Sequence, residues 1–336
     1  MSPEGNLTIC SFSPPFYLKI VLEIVGFVSI PLMILVAYLV WKHSSTTKTF
    51  RACLTYLQIV SFTVETDMAV NQPWYNFPFL AGYSQSKLAA YLNIPTHALM
   101  MFFVFFLCSE IPACLQCFYY RFEETRKLRG KKELWKIGLI YVIISHFYPF
   151  VAIYLFNLTK ASFERQYEIM LKSYPKCVSL FTETSFEMYD KECDGLIYCI
   201  IFFTIILTFS ILFGGIFALG TLYILLDFRT LMSKSAFNAN ILALINLVII
   251  SLCPVFFVVF PTVFCLFVIV FEIVEYQVYA NLSMVFVTGH SLVYSIVVIL
   301  TNERYRTILK KWILRKNNQV VNNRMIRFVE TIKTFP

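Results

Sequence analysis

Long apolar runs separated by short polar connections dominate this chain. A transmembrane helix needs roughly 20 apolar residues. Seven runs come close to that length: Tyr17–Val40, Ala52–Val70, Leu88–Cys117, Trp135–Leu158, Leu196–Leu226, Asn240–Phe271 and Val278–Leu300. The second is the most polar. The sixth holds Pro254 and Pro261, so a tilt, a kink or an early exit is expected there, and its boundary with the seventh is poorly marked. The pattern predicts an all-α membrane protein, a seven-transmembrane helix bundle. Residues 1–16 would be an extracellular segment, 17–302 the bundle and 303–336 a cytoplasmic tail. Residues 1–16 lack the basic and apolar regions of a cleaved leader, so the first run reads as a retained anchor.

Two shorter stretches are amphipathic. Phe163, Tyr167, Met170 and Leu171 recur at helical spacing within the long connection 159–194. Long connections of this kind often act as lids, so a short helix is expected over the extracellular mouth or on lipid headgroups. Tyr305, Ile308, Leu309, Trp312 and Ile313 line one face of a stretch whose other positions are Arg304, Arg306, Lys310, Lys311, Arg315 and Lys316. That is the signature of an interfacial helix with its basic face near anionic lipid.

Composition narrows the class. The chain is 58% hydrophobic and 14% charged, against about 45–50% and about 25% in soluble domains. The net charge of +8 is unevenly placed and does not point to nucleic acid. Lys42, Lys48, Arg51, the run from Arg121 to Lys136, Arg229, Lys234 and the tail fall on one side of the predicted bundle. The opposite loops are acidic, with Glu164, Glu168, Glu183, Glu187, Asp190, Glu192 and Asp194. Cytoplasmic loops carry excess Lys and Arg. The expected orientation is therefore N-terminus outside and tail inside, at the plasma membrane. Asn6-Leu7-Thr8 is then an exposed glycosylation sequon. Cys10, Cys177 and Cys193 fall on the oxidising side. Cys177 and Cys193 lie in one loop that a disulfide can close, but Cys10 can take either partner, so three pairings are open.

No hydrolase, zinc-protease, P-loop or paired Cys-x-x-Cys motif is present, which gives no support to an enzyme and implies neither cofactor nor metal. The informative polar groups sit inside the apolar runs, where they are expensive and normally face the bundle interior. Glu65 and Asp67 fall in the outer third of the second run, Asn93, Thr96 and His97 near the outer end of the third, and Asn281 and Ser283 near the outer end of the seventh. A water-accessible outer cavity would bring them together. Asp67 and His97 are expected to pair across it, with Gln72, Trp74 and Phe79 from the adjoining loop completing a ligand site. Glu23, Glu110, His146, Asn246 and His290 are more scattered and read as interhelical packing groups.

A family resemblance rests on ordered short elements. Thr49-Phe50-Arg51-Ala52-Cys53-Leu54, Gln58, Thr66-Asp67, Gln72-Pro73 and Ala81-Gly82-Tyr83 resemble the second-span signature of nematode serpentine chemoreceptors, with class I, of the larger group that includes class H, the best match. Tyr120-Arg121, Leu231-Met232-Ser233, Leu252-Cys253-Pro254, His290-Ser291 and Tyr305-Arg306 resemble later elements of the same family. Tyr294 stands where Asn is expected, Asn246 where glutamine is common and Asn302-Glu303 where prolines are frequent. The resemblance implies a G-protein-coupled receptor for a small odorant or pheromone-like molecule, embedded in membrane lipid at a sensory ciliary membrane. It implies a heterotrimeric G protein as partner, facing Tyr120, Arg121 and Lys234. A seven-span ligand-gated channel, or a transporter, is the alternative. The channel would place the N-terminus inside, against the charge pattern, and the internal repeats of transporters are not seen.

Overall fold

A computed structural model describes residues 16–44, 47–130, 135–182, 185–312 and 314. Asn6 and Cys10 lie outside the described residues. The chain crosses the bundle seven times. Helix α1 (Phe16–His43) runs to the end where the tail begins, and α2 (Lys48–Asn71) returns. Thr47 caps α2 by accepting the Phe50 amide at 3.3 Å, which satisfies a first-turn N–H that the helix itself leaves orphaned. At the far end, β1 (Pro73–Tyr75) and β2 (Ala81–Ser84) form a hairpin, followed by the short helix α3 (Lys87–Tyr91). Helix α4 (Thr96–Arg126) runs back. The pair α5 (Lys136–Ser145) and α6 (Tyr148–Asn157) makes the fourth crossing, and α7 (Phe163–Ser173) and β3 (Phe186–Met188) lie at its end. Helix α8 (Asp194–Asp227) is the fifth crossing, α9 (Lys234–Pro254) with α10 (Phe260–Val270) the sixth, and α11 (Gln277–Thr301) the seventh. Residues 303–312 form a final helix, α12. The strands mark one end of the bundle, the lid end, and α12 marks the other, the tail end.

Among the described residues, six crossings are long and apolar enough to span a membrane by composition alone. Helix α2 is the seventh: it carries Lys48, Arg51, Glu65 and Asp67, but packs between α1, α4 and α11 and buries Gln58, Ser61 and Glu65 against them. In lipid a polar residue is tolerated on the face turned inward.

Prolines set several boundaries that differ from the apolar runs. The third crossing begins at Thr96, not Leu88, because Pro95 disfavours helix in the residue before it. Asn93 is therefore not in a span; it is an exposed turn residue with φ 53°, a left-handed conformation that Asn tolerates. The fourth crossing breaks at His146–Phe147, just before Pro149. The sixth neither exits early nor ends at its prolines: Pro254 is followed by a wide π turn over Val255–Val259, after which α10 continues.

The lid is the largest departure from an all-helical expectation. β2 pairs antiparallel with both β1 (Trp74 opposite Tyr83) and β3 (Gly82 opposite Glu187). A Cβ on Gly82 would lie 2.5 Å from the Trp74 carbonyl oxygen, so only glycine lets these strands approach. Helix α7 forms where the amphipathic spacing predicts it, capped by Ser162, and buries Met170 with Phe79, Cys177, Leu180 and Met188. Gln166 fastens α7 to the sheet, accepting the Met188 amide at 3.1 Å and donating to Glu187 at 3.2 Å. At the tail end α12 also appears as expected: Tyr305 is buried, Ile308 and Leu309 pack on the core, and the Trp312 ring meets Tyr38 and His43 of α1.

One expected link is not made. Cys177 is disulfide-bonded but Cys193 is free, so the loop is not closed by a Cys177–Cys193 bridge. Cys193 instead stands at the N-cap of α8, where α8 begins.

Candidate functional site

Helical and strand periodicity decide which polar groups meet beneath the lid. Successive residues of a strand point to opposite faces. Trp74 packs outward on Leu22 of α1 and on Tyr83, while its neighbour Tyr75 turns into the bundle. The Tyr75 hydroxyl lies 3.9 Å from the Met68 sulfur and 4.0 Å from that of Met100. Burial pushes the Tyr75 phenol well above its ordinary range, so it stays neutral. Phe77 follows it inward, onto Cys265, Val268 and Ile269 of α10 and Ala280 of α11. Phe79 stays in the lid cluster. The hairpin thus plugs the mouth with Tyr75 and Phe77, and the walls expected from Trp74 and Phe79 are built elsewhere.

The space left is small. A void of about 10 Å³ is lined by Asp67, Met68 and Asn71 of α2, Pro73 and Ser84 of the hairpin, and Thr96, Leu99, Met100 and Phe103 of α4, enough for about one water molecule. Asp67 accepts a hydrogen bond from Asn71 at 2.7 Å. It does not bond to His97. The lining residues of α4 form the stripe 96, 99, 100, 103, and His97 lies about 100° around the helix from Thr96. His97 faces Tyr189, at 3.2 Å, and Asn157, also at 3.2 Å, with its ring stacked on Phe156. Burial raises the Tyr189 phenol, keeping it a neutral hydroxyl. Gln72 and Asn281, also expected as ligand groups, have partners elsewhere. Gln72 ends α2 in a left-handed conformation and donates to Glu23 at 3.3 Å. Asn281 is buried and donates to its own helix at Gln277, 3.1 Å away.

Below this level the polar groups that look scattered in sequence converge. His290 of α11 is fully buried, with Nε2 2.6 Å from Glu110 of α4 and Nδ1 2.6 Å from the Val287 carbonyl. A carbonyl only accepts, so Nδ1 must carry a proton. The Nε2 contact then needs one further proton, on either the ring or the carboxyl, and the pair is net neutral in both cases. Glu65 of α2 accepts from Ser29 of α1 and lies within electrostatic reach of His290. Four helices meet at these side chains. Tyr75, Phe77, Glu110 and His290 are residues that sequence reasoning did not assign to a site. Alternation along Pro73–Tyr75 is the signal for the first pair; nothing local signals the second, because its members are 180 positions apart.

At the tail end Arg121 is buried, with 6% of its surface exposed. It donates to the Asn240 side chain at 2.8 Å and to the Asn240 carbonyl at 3.2 Å, and pairs with Glu124 at 3.3 Å. Tyr120 is half-buried and edge-on to Tyr119. Lys234 is exposed in the first turn of α9, behind the Ser233 cap. Arg121 thus joins the end of α4 to the beginning of α9.

The chain matches known proteins in sequence family and in fold. The family model of the serpentine type 7TM GPCR chemoreceptor Sri matches residues 8–309. The chain belongs to that family. It is a multi-pass membrane receptor of the G-protein-coupled type, and its seven crossings are those of a chemoreceptor. The crystal structure of squid rhodopsin is similar over 94% of this chain and 91% of that one, with a TM-score of 0.58 and 13% identity, a likeness of fold alone. No curated protein matches the sequence.

Proposed function

We propose that this chemoreceptor binds a small odorant or pheromone-like molecule in the lid-end half of the bundle and signals to a heterotrimeric G protein at the tail end. The lid end is then extracellular, as the basic residues around α12 and between α4 and α5 argue, and the receptor sits in the plasma membrane of a sensory cilium. Asp67, Tyr75, Phe77 and Met100 are the groups a ligand would meet first, displacing the Tyr75–Phe77 plug.

The observation that carries this reading is the course of α4. Its first turn holds the lid, through Thr96 to the Ser185 carbonyl and His97 to Tyr189. Its middle holds His290 through Glu110, and its last turns hold α9 through Arg121. A ligand that moves the lid end of α4 shifts the balance between states in which the Arg121–Asn240 contact is made and broken. Such a ligand acts only by binding one state better than the other.

The test is an odorant screen read by calcium responses in cells expressing the chain, repeated with Arg121→Ala at matched surface expression. Loss of response with retained ligand binding is expected. Equal loss of surface expression would mean that Arg121 serves folding instead. An epitope at Ser2 should stain unpermeabilised cells and one at Pro336 should not; the reverse pattern would favour the channel reading.

A further inference from the structure

A larger space than the void under the lid lies at the other end of the bundle. A cavity of about 280 Å³ lies at the tail end, walled by α1, α2, α9, α11 and α12. No lining residue belongs to α4 or α8. The Arg121–Asn240 contact closes the α4 side of α9, whereas this cavity opens on the side that carries Ala239 and Ala243. It is therefore separate from the α4–α9 seam assigned above to signalling, and it does not depend on the lid-end ligand site.

Its chemistry is graded. The walls are apolar, with Val36, Leu54 and Val298 among them. The floor is polar and nearly sealed: Gln58 is 1% exposed and Tyr294 2%. Gln58 gives its amide N–H to the Met33 carbonyl at 3.0 Å. Among the described residues, neither its amide oxygen nor the Tyr294 hydroxyl has a hydrogen-bond partner. Both atoms face the cavity and are not sealed in packed protein, so a hydroxyl placed there has a free acceptor in Gln58 and a free donor and acceptor in Tyr294. At the mouth Glu303 and Arg304 balance each other, and no charged side chain lines the space more deeply. The volume is near the lower end of small-molecule pockets, about 300 Å³.

We infer that this cavity is a second ligand site, for an uncharged amphiphile of alkylphenol size whose apolar body fills the walls and whose hydroxyl donates to the Gln58 amide oxygen beside Tyr294. Because the occupant touches α2, α9 and α11 together, it holds α9 where the Arg121–Asn240 contact is made, and it stabilises that arrangement by mass action.

The probe is a diazirine-bearing alkylphenol, applied to the full-length receptor in lipid nanodiscs, photolysed and mapped by mass spectrometry. Saturable labelling of cavity residues on α2, α9 or α11 is expected, competed by the parent alkylphenol. Ala243→Phe, which fills the space from α9, should cut that labelling about tenfold or more, since the occupant loses its room. Gln58→Leu should weaken half-saturation by about fivefold, the effect of one lost hydrogen bond. If Ala243→Phe does not fold, Leu54→Phe fills the cavity from α2 and gives the same comparison. Labelling that does not saturate and spreads over lipid-facing residues would overturn the proposal. So would no labelling at all, as for a water-filled void, or labelling unchanged in a filled variant whose melting temperature matches that of the parent.

Discussion

The two ends of this receptor are closed by different physics. The lid end is shut by packing: a three-stranded sheet, α7 and an apolar cluster around Met170, with Tyr75 and Phe77 pressed into the mouth. Its ion pairs, such as Arg165 with Asp190 at 3.0 Å, are half-exposed and screened by water and salt. The tail end is shut by direction: one buried guanidinium aimed at Asn240, beside a cavity of about 280 Å³. Packing is lost gradually and expensively, whereas a pair of hydrogen bonds is made or broken at modest cost. On the function proposed above, the lid holds a site in shape and the far end switches, and the two kinds of closure fit those two tasks.

The sharpest way to break the comparison is to remove the covalent tie from the lid. Cys177→Ser should destabilise the receptor by about 2–5 kcal/mol, the usual range for a lost native disulfide. The readouts are the melting temperature and surface expression. Cys193→Ser should do neither, because Cys193 is free. Peptide mapping without reduction should leave Cys193 open to alkylation and recover Cys177 linked to Cys10, the alternative that the sequence leaves open. Equal destabilisation by the two substitutions would mean that the lid is not tied as described.

The tail end should respond to a much smaller change, and in signalling rather than stability. Asn240→Ala removes the 2.8 Å acceptor from Arg121 and leaves the carbonyl contact in place. A hydrogen bond to a charged group contributes about 1.5–3 kcal/mol, so the α4–α9 contact should open at least about tenfold more often. Basal nucleotide exchange on the G protein should rise with little change in melting temperature. Met170→Ala in the lid core should show the converse, a loss of about 2–5 kcal/mol of stability with basal exchange unchanged. If both variants move both readouts together, the ends are not mechanically distinct.

What was legible in the sequence follows from the range over which each signal acts. The crossings, α7 and α12 are written in local apolar periodicity, and α2 was countable despite its charges because its polar residues are spaced between apolar ones. The sheet was not legible: β1 and β2 are 3 and 4 residues long, and β3 joins them from about a hundred residues away. Glu110 and His290 looked scattered because periodicity names a face of a helix and not the helix it meets. Asn93 lies before its helix although it sits inside an apolar run, because such a run does not show that a helix has not yet begun.

Asp67 and His97 mark the finest limit of that reading, and they give the smallest expected effect. Depth in the membrane follows from counting residues, which places both near the lid end. Pairing also needs rotation about each axis. Asp67 meets the stripe of α4 that holds Thr96 and Met100, and is held by Asn71. His97 belongs to the adjacent stripe and is held by Tyr189 and Asn157. Asp67→Asn should shift ligand potency, because Asp67 lines the void beneath Tyr75. His97→Gln should act through the lid, by loosening the hold of α4 on Tyr189. With no shared partner, the two effects should add within about 0.5 kcal/mol. A double-mutant cycle on potency, at matched surface expression, measures this directly. A coupling energy above about 1 kcal/mol would show that the residues meet when ligand is bound, and that the lid-end site forms by rotating α4 against α2.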